Sequence, residues 1–198
     1  MTDPQPNAFS LEEMDQVLGA FCNDRRRGMT YRHYAPLVEF LFRVGCRPSE
    51  AVGLTWGNIS PDCGTIYFTG ALVQVRNRRV RSEGSKNNKT RSLSVSLATQ
   101  ELLQRIRPED PAPESLVFPS PVGGSINYRN FSRRAWSTVV DPIKPKTTPY
   151  SCRDTFITQQ LLKGVPTGVI AKWCDTSVQI IERHYLDKLK IAQLRPID

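Results

Sequence analysis

The spacing of apolar residues changes twice along this chain. The first stretch follows a helical period. Ser10 with Glu13 three residues later forms a capping box, which starts a helix near Leu11. That helix ends before the charged stretch Asp24-Arg25-Arg26-Arg27-Gly28. Tyr34, Leu37, Val38, Leu41 and Phe42 recur at helical spacing and predict a buried helix within 31–44, stopped by Gly45. Pro48 suits a first helical turn, so a short helix is expected over 49–52, with Arg47 at the junction of two helices. From Asn58 to Val95 the pattern turns β-like, in 65–68, 71–75 and the alternating 91–95. Gly84 and the pair Asn87-Asn88 mark a turn between the last two. The expectation is a small antiparallel sheet whose last hairpin carries a strongly basic tip.

Helical spacing then returns. Residues 98–106 read as a helix, followed by a proline-rich connection, Pro108 to Pro121, with the apolar piece Leu116-Val117-Phe118 inside it. Helices are expected over 127–140, 149–163 (stopped by Gly164), 166–173 and 177–187. Residues 1–8 form a polar lead expected to be loose, and 188–198 a tail suited to docking. The fold class is α+β, mostly α-helical with a small antiparallel β-sheet, in one domain over 9–187.

Charge narrows the choice of partner. The net charge is +8, which favours a polyanion. The run 76–91 holds Arg76, Arg78, Arg79, Arg81, Lys86, Lys89 and Arg91 against one glutamate, a density that suits phosphate contact better than a merely solvated face. Arg129, Arg133 and Arg134 add a second basic set. Five cysteines form no C-x-x-C pair, and two histidines offer no zinc spacing, so neither a disulfide framework nor a metal or other cofactor is implied. The chain has no signal-peptide pattern and no apolar run approaching the ~18 residues of a membrane span. A soluble, cytoplasmic protein is expected.

Candidate chemistry lies in an ordered set: Arg47 in Gly45-Cys46-Arg47-Pro48-Ser49-Glu50, Lys86 in Lys86-Asn87-Asn88-Lys89-Thr90-Arg91, Arg153 in Tyr150-Ser151-Cys152-Arg153-Asp154-Thr155-Phe156, and Tyr185 in Glu182-Arg183-His184-Tyr185. Three cations can hold and neutralise one phosphate, and a phenol can attack it. Lys89 is an even rival to Lys86 on the residues alone. Tyr150 and Arg153, three apart, share one helix face.

These boxes resemble those of the tyrosine recombinases, the phage integrase family. Gly45–Trp56 resembles the family's first arginine box, 86–91 its catalytic-lysine hairpin, Arg153–Thr158 its second arginine box, and 174–185 its G-H-S-S stretch followed by the nucleophile box. The resemblance implies that Tyr185 attacks a DNA phosphodiester to give a 3′-phosphotyrosyl link and a free 5′-hydroxyl, which a second 5′-hydroxyl later reverses. It implies Arg47 and Arg153 as clamps on the non-bridging oxygens and Lys86 as general acid. Partners implied are double-stranded DNA and further copies of the chain, as a tetramer on paired sites and a monomer without DNA. Three positions depart from the pattern: Tyr150 and Asp154 stand where histidine is usual, and Asp175 where His or Trp is usual. Tyr150 resembles the variant in recombinases that excise developmental DNA elements in cyanobacteria. Tyr150 and Asp175 are therefore expected to take over the missing histidine roles. Members usually carry an N-terminal DNA-binding domain, so the chain reads as a catalytic fragment or a stand-alone version. A degenerate, DNA-binding accessory protein and a metal-dependent nuclease are the alternatives.

Overall fold

Ser10 begins the first helix as its spacing predicts. Its hydroxyl accepts from the Glu13 amide (3.1 Å) and the Glu13 carboxylate accepts from the Ser10 amide (2.8 Å), closing both ends of the box. The computed structural model describes residues 6–25, 31–75, 78–83 and 90–185. Helix α1 runs Leu11–Cys22 and buries Val17 and Phe21. A 3₁₀ turn, Arg32–Tyr34, leads into α2, Ala35–Val44, whose Leu37, Val38, Phe40, Leu41 and Val44 are buried. Tyr34 thus sits just before the helix that its spacing assigned it to, packed on Phe131 at 4.9 Å.

Gly45 ends α2 in the left-handed region, φ +64°, with its N–H on the Leu41 carbonyl. A Cβ built there would lie 2.3 Å from Phe156 Cδ1. Two penalties therefore coincide, left-handed backbone and overlap with a buried ring. Gly45→Ala is expected to cost roughly 2–4 kcal/mol, a drop of roughly 5–15 °C in Tm by calorimetry. An unchanged Tm would contradict this packing.

The chain then turns directly into α3, Pro48–Val52, with Pro48 as first helical residue and Arg47 as extended N-cap. Strand β1, Thr65–Phe68, pairs antiparallel with β4, Arg91–Ser94, and β2, Gly70–Val75, pairs antiparallel with β3, Arg78–Glu83. This corrects the expected hairpin. Residues 78–83 of the basic run are a strand, paired with β2 out to Val75 with Arg78. Strand β3 escaped the pattern because Val80 is its one apolar residue. Its order comes from the backbone ladder with β2, which needs no apolar alternation.

Helix α4, Leu97–Ile106, is capped by Ser96. The piece Leu116-Val117-Phe118 tucks Val117 and Phe118 into the core. The expected helix over 127–140 is three segments: α5, Tyr128–Asn130, a π-helical turn, Phe131–Trp136, and α6, Ser137–Val140. The wider turn lets Phe131 and Trp136, five apart, both face inward. Helices α7, Tyr150–Leu162, α8, Thr167–Cys174, and α9, Val178–Tyr185, complete the described chain. The main core joins α1 to α6 with β1 and β4. A smaller cluster, Phe156, Ile157, Ile170, Cys174, Ile181 and Tyr185, fastens α8 and α9 to α7. Among the described residues no helix is long and apolar enough to cross a membrane.

Candidate active site

The turn from α2 into α3 fixes Arg47, and the end of α8 brings Asp175 to it. Asp175 caps α8 in the left-handed region, φ +50°, a conformation Asp tolerates better than most residues. Arg47 Nη1 donates to Asp175 Oδ2 and Nη2 to the Asp175 carbonyl, both at 2.6 Å. Nη1 also lies 3.3 Å from Glu50 Oε1. Burial alone would push the Arg47 guanidinium down, but the bond to Asp175 and the charge of Glu50 outweigh it and hold it raised.

Glu50 is 3% exposed and is the hub beneath Arg47. Its Oε2 accepts the Arg47 amide at 2.8 Å, and its two oxygens accept Arg91 Nη1 (2.6 Å) and Nη2 (2.9 Å) side by side. Burial pushes the Glu50 carboxyl up, and the Arg91 hydrogen bond and charge more than reverse it. Arg91 further donates Nε to the Trp173 carbonyl (3.1 Å) and covers the Phe68 ring at 4.1 Å. Arg91 was expected at the DNA, and here the structure corrects the sequence reading. Its guanidinium is spent on a carboxylate, a carbonyl and a ring. It ties the start of β4 to the segment bearing Arg47 and to the end of α8, which bears Asp175.

Arg153 comes from the buried side of α7 and is 9% exposed. Nη1 donates to the Gly45 carbonyl at 3.0 Å, two residues before Arg47. Among the described residues Arg153 makes no ion pair. Tyr185 is 8% exposed, its ring in the small cluster and its hydroxyl donating to Asp154 Oδ1 at 2.7 Å. Burial raises the phenol strongly, the Asp154 charge and hydrogen bond add to the rise, and the nearby Arg153 charge opposes it. Asp154 Oδ2 accepts the Asn7 amide at 3.1 Å. The lead is held there too, by Phe9 N to Thr155 Oγ1 (2.8 Å) and Lys144 Nζ to the Ala8 carbonyl (2.8 Å). Thus the lead is docked on α7 from residue 7 onward, although it was expected to be loose through residue 8.

The other expected site residues are spread more widely. Tyr150, first residue of α7, is 44% exposed. Arg129, Arg133 and Arg134 are exposed on α5 and the π-helical turn. Arg78, Arg79 and Arg81 lie in β3. Arg76, Lys86 and Lys89 lie outside the described residues.

The roles of Glu50, Arg91 and Asp154 were not foreseen. For Asp154 the departure from histidine at that box position was the available signal. For Glu50 it was a carboxylate inside an arginine box. Burial raises the thiols of Cys46, Cys152 and Cys174, which keeps them protonated, so they read as core side chains. A pocket of about 370 Å³ between α1, α7 and β4 contains none of Arg47, Arg153 and Tyr185.

Solved structures share this architecture. The integrase of transposon Tn1549, in complex with transposon right-end DNA, superposes with a TM-score of 0.78 at 16% identity, over 93% of this chain and 62% of that one. XerA recombinase gives 0.67 at 16% identity, over 100% and 66%. The catalytic domain of bacteriophage HP1 integrase gives 0.61 at 16%, over 89% and 85%. The chain therefore spans about 62% of the length of the Tn1549 integrase structure. A search of curated protein sequences found no match. The fold is that of the tyrosine recombinase catalytic domain. The model of the phage integrase family matches residues 8–190, and the chain belongs to that family.

Proposed function

We propose that this chain cleaves and rejoins DNA strands as a site-specific recombinase, with Tyr185 as nucleophile. The observation that carries the reading is Arg153. A cation with nine-tenths of its surface buried and no anionic partner among the described residues costs several kcal/mol, and a bound phosphate offsets that cost. Its neighbours fit the role. Arg47 is held through Gly45 and Glu50 in the same substructure, and a phenol lies within reach of Arg153's field. Arg47 and Arg153 neutralise the non-bridging oxygens, and Lys86 protonates the leaving 5′ oxygen. Tyr150 donates a hydrogen bond to the same phosphate. The basic residues of β3, with Arg76, Lys89, Arg129, Arg133 and Arg134, contact the duplex backbone. The partner is double-stranded DNA, with four copies on paired sites and a cytoplasmic setting. The relatives solved with DNA, the Tn1549 integrase and XerH with its difH substrate, support this assignment.

The test is a covalent adduct. A pool of nicked duplexes with a randomised centre, labelled at the 5′ end of the nicked strand, should yield a protein–DNA band that survives denaturant and chelator. Duplex binding without that band would leave a DNA-binding accessory protein. A band lost to chelator would point to metal-dependent chemistry.

Asp175 positions Arg47 in this scheme, yet sets a negative charge where phosphate must approach. At 4 Å and an effective dielectric of 20, such repulsion is about 4 kcal/mol, and solvent screening at a side chain 20% exposed leaves a fraction of it. Asp175→Asn keeps the hydrogen-bond acceptors and removes the charge. Duplex affinity in low salt should rise about tenfold by gel shift, and an unchanged affinity would show that the carboxylate does not face the phosphate.

A further inference from the structure

We infer that Asp154 is the proton acceptor for Tyr185, a catalytic residue standing at a position where the family pattern usually has histidine. The inference rests on the recombinase reading above and adds the missing half of its proton transfer.

The attacking oxygen must lose a proton as it bonds to phosphorus. The environment of Tyr185 disfavours the phenolate at rest, through burial first and the adjoining carboxylate second. Proton loss therefore has to accompany attack, with an acceptor in place. The hydroxyl is already donating, and its acceptor is Asp154 Oδ1 at 2.7 Å, within the range required of a general base. Asp175, the carboxylate at the other departure from histidine, has its Oδ2 on Arg47. Tyr150 is a phenol and a poor base.

The carboxylate is also held for the task. Its second oxygen accepts the Asn7 amide at 3.1 Å, which fixes the plane of the group while Oδ1 faces the phenol. Asp154 is half-buried, so a captured proton can pass to solvent. Arg153, the next residue back on α7, brings the phosphate-binding charge close to the same hydroxyl.

The step balances. The Tyr185 O–H bond breaks, its proton goes to Asp154 Oδ1 and its electron pair forms the O–P bond. The P–O5′ bond breaks, and the 5′ oxygen takes a proton from the general acid. In rejoining, the 5′-hydroxyl gives its proton back to the deprotonated general acid as its oxygen bonds to phosphorus, the O–P bond to Tyr185 breaks, and Asp154 returns a proton to the departing phenol oxygen.

Single-turnover cleavage of the best-cut duplex from the randomised pool tests this. Asp154→Asn keeps an acceptor oxygen of similar shape but cannot take the proton, so cleavage and resealing should both slow by about 100-fold, with duplex affinity unchanged. Asp154→Glu restores a carboxylate and should recover most of that loss. An Asp154→Asn rate within about threefold of the parent, or faster, overturns the inference; the carboxylate would then only restrain the phenol. Loss of duplex binding in Asp154→Asn, or no recovery with Asp154→Glu, overturns it as well, assigning Asp154 to holding residues 7–9. If the parent chain forms no adduct, the recombinase reading itself fails. An adduct-forming parent with an equally active Asp154→Asn sinks only the present inference.

Discussion

Tyr185→Phe should abolish the denaturant-resistant DNA adduct while leaving duplex affinity at the parent value. One oxygen is removed, and it is the atom that bonds to phosphorus, so no slower version of the same covalent step remains. The ring is retained, and with it the packing against the small cluster that holds α9 on α7. What the fold loses is the hydrogen bond to Asp154, about 1 kcal/mol, and the freed Asp154 oxygen is partly open to water. Stability and DNA binding should therefore scarcely change. A persistent adduct in Tyr185→Phe would mean another nucleophile and would remove the basis of the proposed function.

Arg153→Met should lower single-turnover cleavage by roughly 10²–10³-fold, about 3–4 kcal/mol of lost transition-state stabilisation. Its effect on stability should go the other way. In the unliganded protein Arg153 is a buried cation with one hydrogen bond, to the Gly45 carbonyl, and no ion pair among the described residues. Exchanging it for an apolar side chain of similar length removes a desolvation cost at the expense of that bond. Tm should stay level or rise while activity collapses. A structural arginine gives the opposite signature, activity falling only in step with stability. A Tm lowered by several degrees with cleavage intact would assign Arg153 to the fold. Such a separation of function from stability is expected where a site holds charge in wait for a ligand.

Much of the architecture was legible because it follows from local rules. The Ser10–Glu13 box, the Gly45 stop and the Pro48 start each rest on the chemistry of one or two residues, and each lies where its pattern predicts. Departures occur where local rules lose their grip. Strand β3 carries almost no apolar signal, since cross-strand backbone pairing supplies its order. The π-helical turn at Phe131–Trp136 is decided by two large rings competing for one core.

The site divides the same way. Arginines, tyrosine and their order are sequence facts, and the spacing within each box told which helix end carries which. Arg91 looked like a DNA contact because a basic run gives no sign of which member turns inward. The buried carboxylate of Glu50, 41 residues away, makes that choice. Asp154 looked like a departure from a family pattern, and its meaning waits on a phenol 31 residues later.

Hydrophobic period, caps and charge thus determined the helices, the basic character and the set of reactive side chains. Tertiary packing decided which charges pair: Arg47 with Asp175, Arg91 with Glu50, Tyr185 with Asp154, and Arg153 with no anion among the described residues. The reason is range. Propensity and capping act over a few residues, whereas the energy of a charge depends on its burial and on neighbours that chain folding brings from any distance.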